Sequence, residues 1–413
     1  MGANLTAATD VFVARQPIFD ERQRVYAYEL LFRSGPENYF ATGFDSEIPT
    51  SRVISNGMSV GLGTLTDQKP AFVNFTHSAL VDDFAFALSP RDVVIEILES
   101  VAADEAALAA CRRLKVAGYR IALDDYVEEP ERMAFVEFAD FIKVDVLQTP
   151  ADSRGSLARK YRTERCHVLA EKVETRAALN EAAALGFQYF QGYFFARPVV
   201  MASKAIPGFR LNYLRLLQEL NQAEIDLSRL EDVIKQEASI TFRLLRRVNS
   251  AAYGFRVETS SIRHALVLLG EREIKTCATV WAMAEMARDQ PFELVIVSTL
   301  RARLCEMLAA PAGLAAQGSD LFLVGMFSLL DVILEQPMDK IVSMLPLSPE
   351  IKQALLGQQN PLRAVLDCVT AYERGRWDEA CALASTAGFS EGALPSSYLE
   401  AIDWTRNVFE WPS

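Results

Sequence analysis

The N-terminal half of the chain is punctuated by short apolar runs rich in Val, Ile, Phe and Tyr. They fall at 11–15, 25–32, 71–75, 93–98, 119–125, 141–145, 167–172 and 189–195. Each reads as a β-strand. Helix-patterned segments such as 103–117 and 175–185 fill most of the gaps. Strands alternating with helices predict parallel βαβ units. Eight of them in roughly 200 residues sit at the lower size limit of a (β/α)8 barrel. One gap departs from the pattern. Between Gln16 and Arg24 the chain reads QPIFDERQR, too short for a parallel crossover, so the first strand is expected to run antiparallel to the second.

After Pro198 the period changes. Leu230, Val233, Ile234, Ile240, Leu244, Leu245 and Val248 follow a helical spacing, as expected of helices packed on a core. Helical patterning then continues between breakers such as Gly270, Pro291, Pro311, Pro337, Pro349 and Pro361. The predicted architecture is an α/β barrel, (β/α)8-like with an antiparallel first strand, over 1–203, followed by an all-helical domain over 204–413.

Composition narrows the function classes. The 413 residues are half hydrophobic and 23% charged, a globular balance that calls for two or three domains. The net charge is −12 and no block of Lys and Arg stands out, which argues against nucleic acid. No apolar run reaches the ~18 residues of a membrane span. The opening MGANLTAATD has neither a basic region nor an apolar one, so a cytoplasmic location is expected. The six cysteines form no CxxC pair and read as reduced, buried thiols. The three histidines fit no HExxH pattern, and neither a GxSxG nor a P-loop occurs.

The candidate chemistry lies inside the strands. A carboxylate in the middle of VYAYELLFR, Glu29, is costly unless it is paired or binds a cation. It is the first of a series: Glu29, Asn74, Glu96, Asp124 with Asp125, Lys143, Glu171 and Gln191. Their later intervals are about one βα unit, so a barrel would gather them at one mouth. Singly, each is more simply a strand-end hydrogen-bonder, with Lys143 and Asp145 as a structural ion pair and Gln191 capping a turn. Their joint recurrence points elsewhere. Acidic side chains and an amide make a hard-oxygen site suited to Mg²⁺ or Mn²⁺. Asp125 would bridge to a second ion or position water. Lys143 offers a cation for a phosphate oxygen or a water, and Glu171 a base or further ligand. Arg33 has the geometry to hold a phosphate bidentately. Paired ions at such a site suit phosphodiester hydrolysis.

Over about residues 10–200 these segments resemble the EAL family of cyclic di-GMP phosphodiesterases. YELLFR resembles the signature segment, which implies Glu29 as a metal ligand and Arg33 as the phosphate-holding arginine. FVNFT implies Asn74 as a ligand. IEILES implies Glu96 as a ligand and Glu99 as a loop anchor. LDDY implies Asp124 and Asp125, IKVD the catalytic Lys143, AEKVET Glu171, and FQGYFFARP the ligand-contacting Gln191. The family fold is a (β/α)8-type barrel with an antiparallel first strand. Two departures stand out. The family's Gly- and Ser-rich loop after LDD-aromatic, which helps order the metal site and the dimer interface, is here VEEPERMAF, leaving Glu99 without its usual partner. The glycine of AEGVE is Lys172, placed to pair with Glu171 or fill ligand space.

The second half resembles the HDOD domain, a helical relative of HD-type phosphohydrolases, through SITFRLLRRVNSAAYG and SSIRHALVLLGEREIK. With only His264 in this region and no His-Asp dipeptide in the chain, an HD-type metal centre cannot be built, and Asn249 and Ser250 read as a turn or helix cap. The resemblance implies a tandem signalling protein. Its barrel binds cyclic di-GMP with weak or no hydrolysis, and its HDOD half engages a protein partner. The alternative is an active Mg²⁺- or Mn²⁺-dependent phosphodiesterase giving the linear dinucleotide. A third reading makes the barrel a platform for the HDOD half. Oligomeric state, a homodimer included, stays open.

Overall fold

A computed structural model describes residues 11–34, 62–196, 207–222, 224–250 and 259–409. Eight strands close in sequence order: β1 (Val11–Asp20), β2 (Val25–Ser34), β3 (Ala71–Phe75), β4 (Val93–Ile97), β5 (Arg120–Leu123), β6 (Phe141–Asp145), β7 (His167–Glu171) and β8 (Tyr189–Gln191). Strand β1 is antiparallel to both β2 and β8, and every other pair is parallel. The expected antiparallel entry follows from a tight turn. Gln23 is left-handed at φ 57°, and the Asp20 carboxylate accepts from the backbone N–H of Arg22 and Arg24.

Strand β1 is longer than its apolar run suggested. It continues through Gln16 and Pro17 to Asp20, so the short link is only the turn after it. Pro17 is tolerated because its missing N–H faces away from β2. Its register partner Tyr28 directs its own N–H to Pro70, away from β1. On that same outer edge β8 pairs only from Ile18 onward. The neighbouring N–H groups of Val13 and Arg15 donate instead to the hydroxyls of Tyr372 and Tyr398, each at 3.4 Å. An exposed strand edge is thereby covered by helices from the far end of the sequence.

The chain accordingly does not pack as two pieces cut at 203/204. One compact unit holds residues 1–197 together with 310–315 and 367–406. The other holds 198–309, 316–366 and 407–413. The second unit is helical where described. Leu230, Ile234, Ile240, Leu244 and Val248 are buried, while Val233 and Leu245 are half-buried. Asn249 follows the helix Ala238–Val248 and ties down Thr259 through both its amide nitrogen and its oxygen. All six cysteines are free thiols. Among the described residues no helix is long and apolar enough to cross a membrane.

Inside the barrel, Ile18, Ala27, Phe72, Val94, Ala122, Phe141 and Leu169 form one buried apolar layer, with Tyr26 and Tyr189 packed against it. Because side chains alternate along a strand, the residues two further toward the mouth share this inward face. They are Gln16, Glu29, Asn74, Glu96, Asp124, Lys143, Glu171 and, beyond Tyr189, Gln191. A polar layer thus sits directly on an apolar one.

Strand β8 stops at Gln191 rather than running on to Phe195. Gly192 adopts φ +143°, and the chain enters a short 3₁₀ turn, Tyr193–Ala196. A Cβ at Gly192 would run into the Val173 backbone, 2.5 Å from its nitrogen. That nitrogen and the Val173 carbonyl are already bonded to Gln191 and Phe194, so neither can give way. Gly192→Ala is therefore expected to lower unfolding stability by about 2 kcal/mol or more, read from urea denaturation. A change within experimental error would show that this junction is not rigid.

Candidate functional site

The polar layer converges on Lys143. Its Nζ lies 2.9 Å from Asp124, 2.8 Å from Glu171 and 3.3 Å from Glu29, and it also contacts Glu96. The Lys143 side chain is 1% exposed and that of Glu96 is fully buried. Strands β2, β4, β6 and β7 supply four of these groups, and Asp124 directly follows β5. Gln191 donates to Glu29 at 2.6 Å and to Gln16 at 3.2 Å, and Asn74 donates to the other Glu29 oxygen at 3.4 Å. Each of the eight strands thus contributes one member.

One ammonium cannot neutralise four carboxylates. Burial pushes Glu171 up to about 8, with Asp124 and Glu29 adding to the effect against the opposing pull of Lys143. Burial likewise drives Glu96 well above the usual range, reinforced by Glu29 and Asp124. Asp124 goes the other way. Burial opposes its ionisation, but Lys143 and local hydrogen bonds hold it below its ordinary value. For Lys143 burial favours the neutral amine, yet the surrounding carboxylates outweigh it and raise its pKa far above normal. Two carboxyls pushed apart in this way supply both a proton holder and a permanent anion.

The geometry fits a divalent cation. Carboxylate oxygens of Glu29, Glu96 and Glu171 lie within 4.8 Å of one another. Asn74 Oδ1, Glu96 Oε2 and Glu171 Oε2 are buried acceptors with no hydrogen-bond donor. Hard-oxygen acceptors lacking donors suit a cation such as Mg²⁺ or Mn²⁺ rather than a further neutral group.

The remaining sequence candidates lie around this ring. Asp125, left-handed at φ 38°, turns out of it toward Lys172, at 3.4 Å. Lys172 is itself left-handed, φ 54°, and its ammonium is 2.6 Å from Asp145. The expected pairing of Lys172 with Glu171 is thus replaced by one with Asp145 and Asp125. The alternative Lys143–Asp145 pair is absent for the same reason. Burial and Asp124 raise Asp125, partly offset by Lys172. Beside these groups lies a cleft of about 340 Å³ lined by Asp125, Asp145, Gln148 and Thr149 among others. Arg33, four residues beyond Glu29, is buried and paired with Asp378 at 2.9 Å. Glu99 is exposed at the end of β4 and acts on Arg132 through its charge.

Arg132 was not visible as a functional residue. It lies in VEEPERMAF, the segment that replaces the Gly- and Ser-rich loop. Its guanidinium donates to the carbonyls of Asp124 at 2.9 Å and Ile97 at 3.3 Å. The substituted loop therefore still braces the backbone that carries Asp124 and Glu96. Gln16 was missed because it fell within the presumed connection. Asp378 was missed because no local pattern links it to the barrel.

An EAL domain model matches residues 64–198 and an HDOD domain model matches 206–336. Bacillus subtilis YuxH, described as an uncharacterized protein, is 35% identical over 408 residues, covering 97% of this chain and 99% of its own. Vibrio cholerae CdgJ, described as a cyclic di-GMP phosphodiesterase, is 31% identical over 403 residues, covering 96% of this chain and 93% of its own. Among solved structures, Klebsiella pneumoniae BlrP1 in a calcium/cyclic di-GMP complex covers 48% of this chain and 58% of that one. Its sequence identity is 23% and its TM-score 0.39, too low to carry an argument. With barrel and helical segments matched in that order, and relatives matched over nearly their whole length, the chain belongs to the family of EAL–HDOD tandem proteins.

Proposed function

We propose that the barrel mouth binds cyclic di-GMP over a divalent cation and hydrolyses it slowly, while the HDOD half passes the bound state to a protein partner. The observation that carries this reading is the convergence of Glu29, Asn74, Glu96, Asp124 and Glu171 around Lys143, with acceptor oxygens left over.

Glu29, Asn74, Glu96 and Asp124 would hold Mg²⁺ or Mn²⁺. Such an ion supplies Lewis acidity toward a phosphoryl oxygen. Lys143 holds the carboxylates together in the metal-free protein and offers its ammonium to developing negative charge. Glu171 would accept the proton of the attacking water once its own proton has been given up, a role its position in the ring allows. Arg33 holds a phosphate at the rim, and Gln191 orients Glu29. Asp125 would help a second ion, but Lys172 neutralises it together with Asp145. That substitution is the reason to expect slow turnover. A second reading, full phosphodiesterase activity, is favoured by the description of the Vibrio relative.

Three outcomes are expected. Purified protein with Mg²⁺ or Mn²⁺ converts cyclic di-GMP to the linear dinucleotide, and Glu29→Ala or Lys143→Ala lowers the rate at least ~100-fold. Turnover that survives both changes removes the assigned site; binding without turnover leaves a sensor.

Lys172→Gly is expected to raise the rate several-fold with little loss of stability. Glycine relieves a left-handed backbone, worth about 1–3 kcal/mol, which offsets the loss of the ion pairs that Lys172 makes with Asp145 and Asp125. A rate equal to the parent's would remove the argument that Lys172 slows turnover by neutralising Asp125.

The third outcome concerns pH. Glu171 keeps its proton up to about 8 in the folded, metal-free state, whereas an unfolded glutamate loses it near ~4.3. The folded state binds more protons across that window, so stability falls as pH rises from about 5 to 8. Thermal melts in EDTA should show this slope. Glu171→Gln should flatten it, and Mn²⁺ should stabilise more at pH 8 than at 5.5. A slope of opposite sign, unaffected by Glu171→Gln, would contradict the charge analysis.

A further inference from the structure

The C-terminal segment packed with the barrel reaches the mouth itself. Strand β2 points Glu29, Leu31 and Arg33 to the same side by alternation, and Arg33 pairs in register with Phe12 of β1. Against this rim lies the turn between the helices Pro361–Glu373 and Trp377–Thr386. The Phe12 ring packs on Tyr372 at 6.0 Å and on Trp377 at 5.8 Å. Gly375, φ +67°, presses on Leu31, where a Cβ would come within 2.7 Å of the leucine Cδ1. On the β8 side the Tyr193 hydroxyl donates to the Glu373 carbonyl at 3.2 Å, and Arg374 stacks over the Tyr193 ring at 4.9 Å. The turn is thus held from both β2 and β8, on the rim above Glu29 and Gln191.

Within this arrangement one contact is chemically out of balance. The Arg33 side chain is 7% exposed, while that of its partner Asp378 is 65% exposed. A buried guanidinium at the barrel mouth directs one nitrogen, Nη1, to a carboxylate that water can readily take back. A carboxylate and a phosphate offer a guanidinium the same pair of acceptor oxygens. Asp378 enters on the first turn of a helix, so it can leave by a small shift of one rigid element.

We propose that Asp378 is a built-in competitor for Arg33: it occupies the guanidinium where a phosphate of the cyclic dinucleotide would bind, and ligand entry displaces it. The proposal rests on the reading of Arg33 as a phosphate holder. It makes the C-terminal hairpin a determinant of affinity, and it couples ligand binding to residues 372–378, far from the mouth in sequence.

The test is calorimetric titration of the full-length protein and its variants with cyclic di-GMP in Mg²⁺, with unfolding midpoints measured alongside. Asp378→Asn keeps the shape and removes the charge. It should tighten binding about 3- to 5-fold, the size expected for losing one partly exposed ion-pair competitor. Arg33→Ala should weaken binding, and Asp378→Asn added to Arg33→Ala should then have no effect. Unchanged or weaker binding by Asp378→Asn, with Arg33→Ala still deleterious, overturns the competitor role and makes Asp378 a residue that aligns Arg33. Arg33→Ala without effect overturns the phosphate reading of Arg33 instead. Failure of both the parent and Asp378→Asn to bind overturns the proposal, whereas binding by Asp378→Asn alone supports it.

Discussion

The Lys143 ammonium lies against Glu29, Glu96, Asp124 and Glu171, and only Asp124 among the five side chains exceeds a tenth exposure. Four potential anions around one cation leave a deficit of positive charge where water cannot screen it. The strands do not permit the usual escape of rotating carboxylates into solvent, because each is anchored two residues above a buried apolar neighbour. Two forms of relief remain. The site takes up protons, which is why Glu171 and Glu96 are pushed upward, or it takes up a cation. The neutral donors are arranged consistently with this. Gln191 and Asn74 both spend their N–H groups on Glu29, which leaves the Asn74 carbonyl oxygen facing the same space.

A barrel with one antiparallel strand has a weak edge, and this chain mends it with distant sequence. The tyrosines Tyr372 and Tyr398 are buried, and their hydroxyls accept the β1 N–H groups that β8 is too short to reach. The turn that follows Tyr372 and the helix after it bring Arg374 and Asp378 to the rim. Structural closure and access to the mouth therefore depend on one set of packing contacts. A change that loosens the Tyr372–Trp377–Phe12 cluster acts on both.

How much of this the sequence disclosed follows from the range of each signal. The polar layer was legible because strand alternation and βα spacing are local, and seven strands, β2 to β8, repeat the same pattern. The antiparallel entry was legible from one short gap, although Gln16 and Pro17 hid the true extent of β1. The C-terminal hairpin was not legible. Its helices carry ordinary amphipathic patterning, and nothing local distinguishes a face that packs on β1 from one that packs on another helix. Arg132 was hidden for a different reason. A long side chain that bonds only to backbone carbonyls has no partner type to look for, so a loop that had lost its glycines read as a loop that had lost its bracing.

The left-handed pair beside the site shows how such a replacement is sustained. Asp125 and Lys172 both adopt φ values that glycine favours, at a cost of about 1–3 kcal/mol each. Their backbones are fixed by the barrel: Tyr126 N–H bonds to the Lys143 carbonyl, and Val173 N–H to that of Gln191. The two turns must therefore keep their shape whatever residue occupies them. Placing a lysine in one offsets part of the strain, because its ammonium joins Asp145 and Asp125 across the gap. That same ammonium removes two carboxylates from the set able to bind a second cation. The departure that most affects the chemistry is thus also one that the fold accommodates, and it leaves the Lys143 ring untouched. The turn keeps its backbone whichever residue occupies it, so this position bears on the charge beside the mouth more than on the barrel's closure.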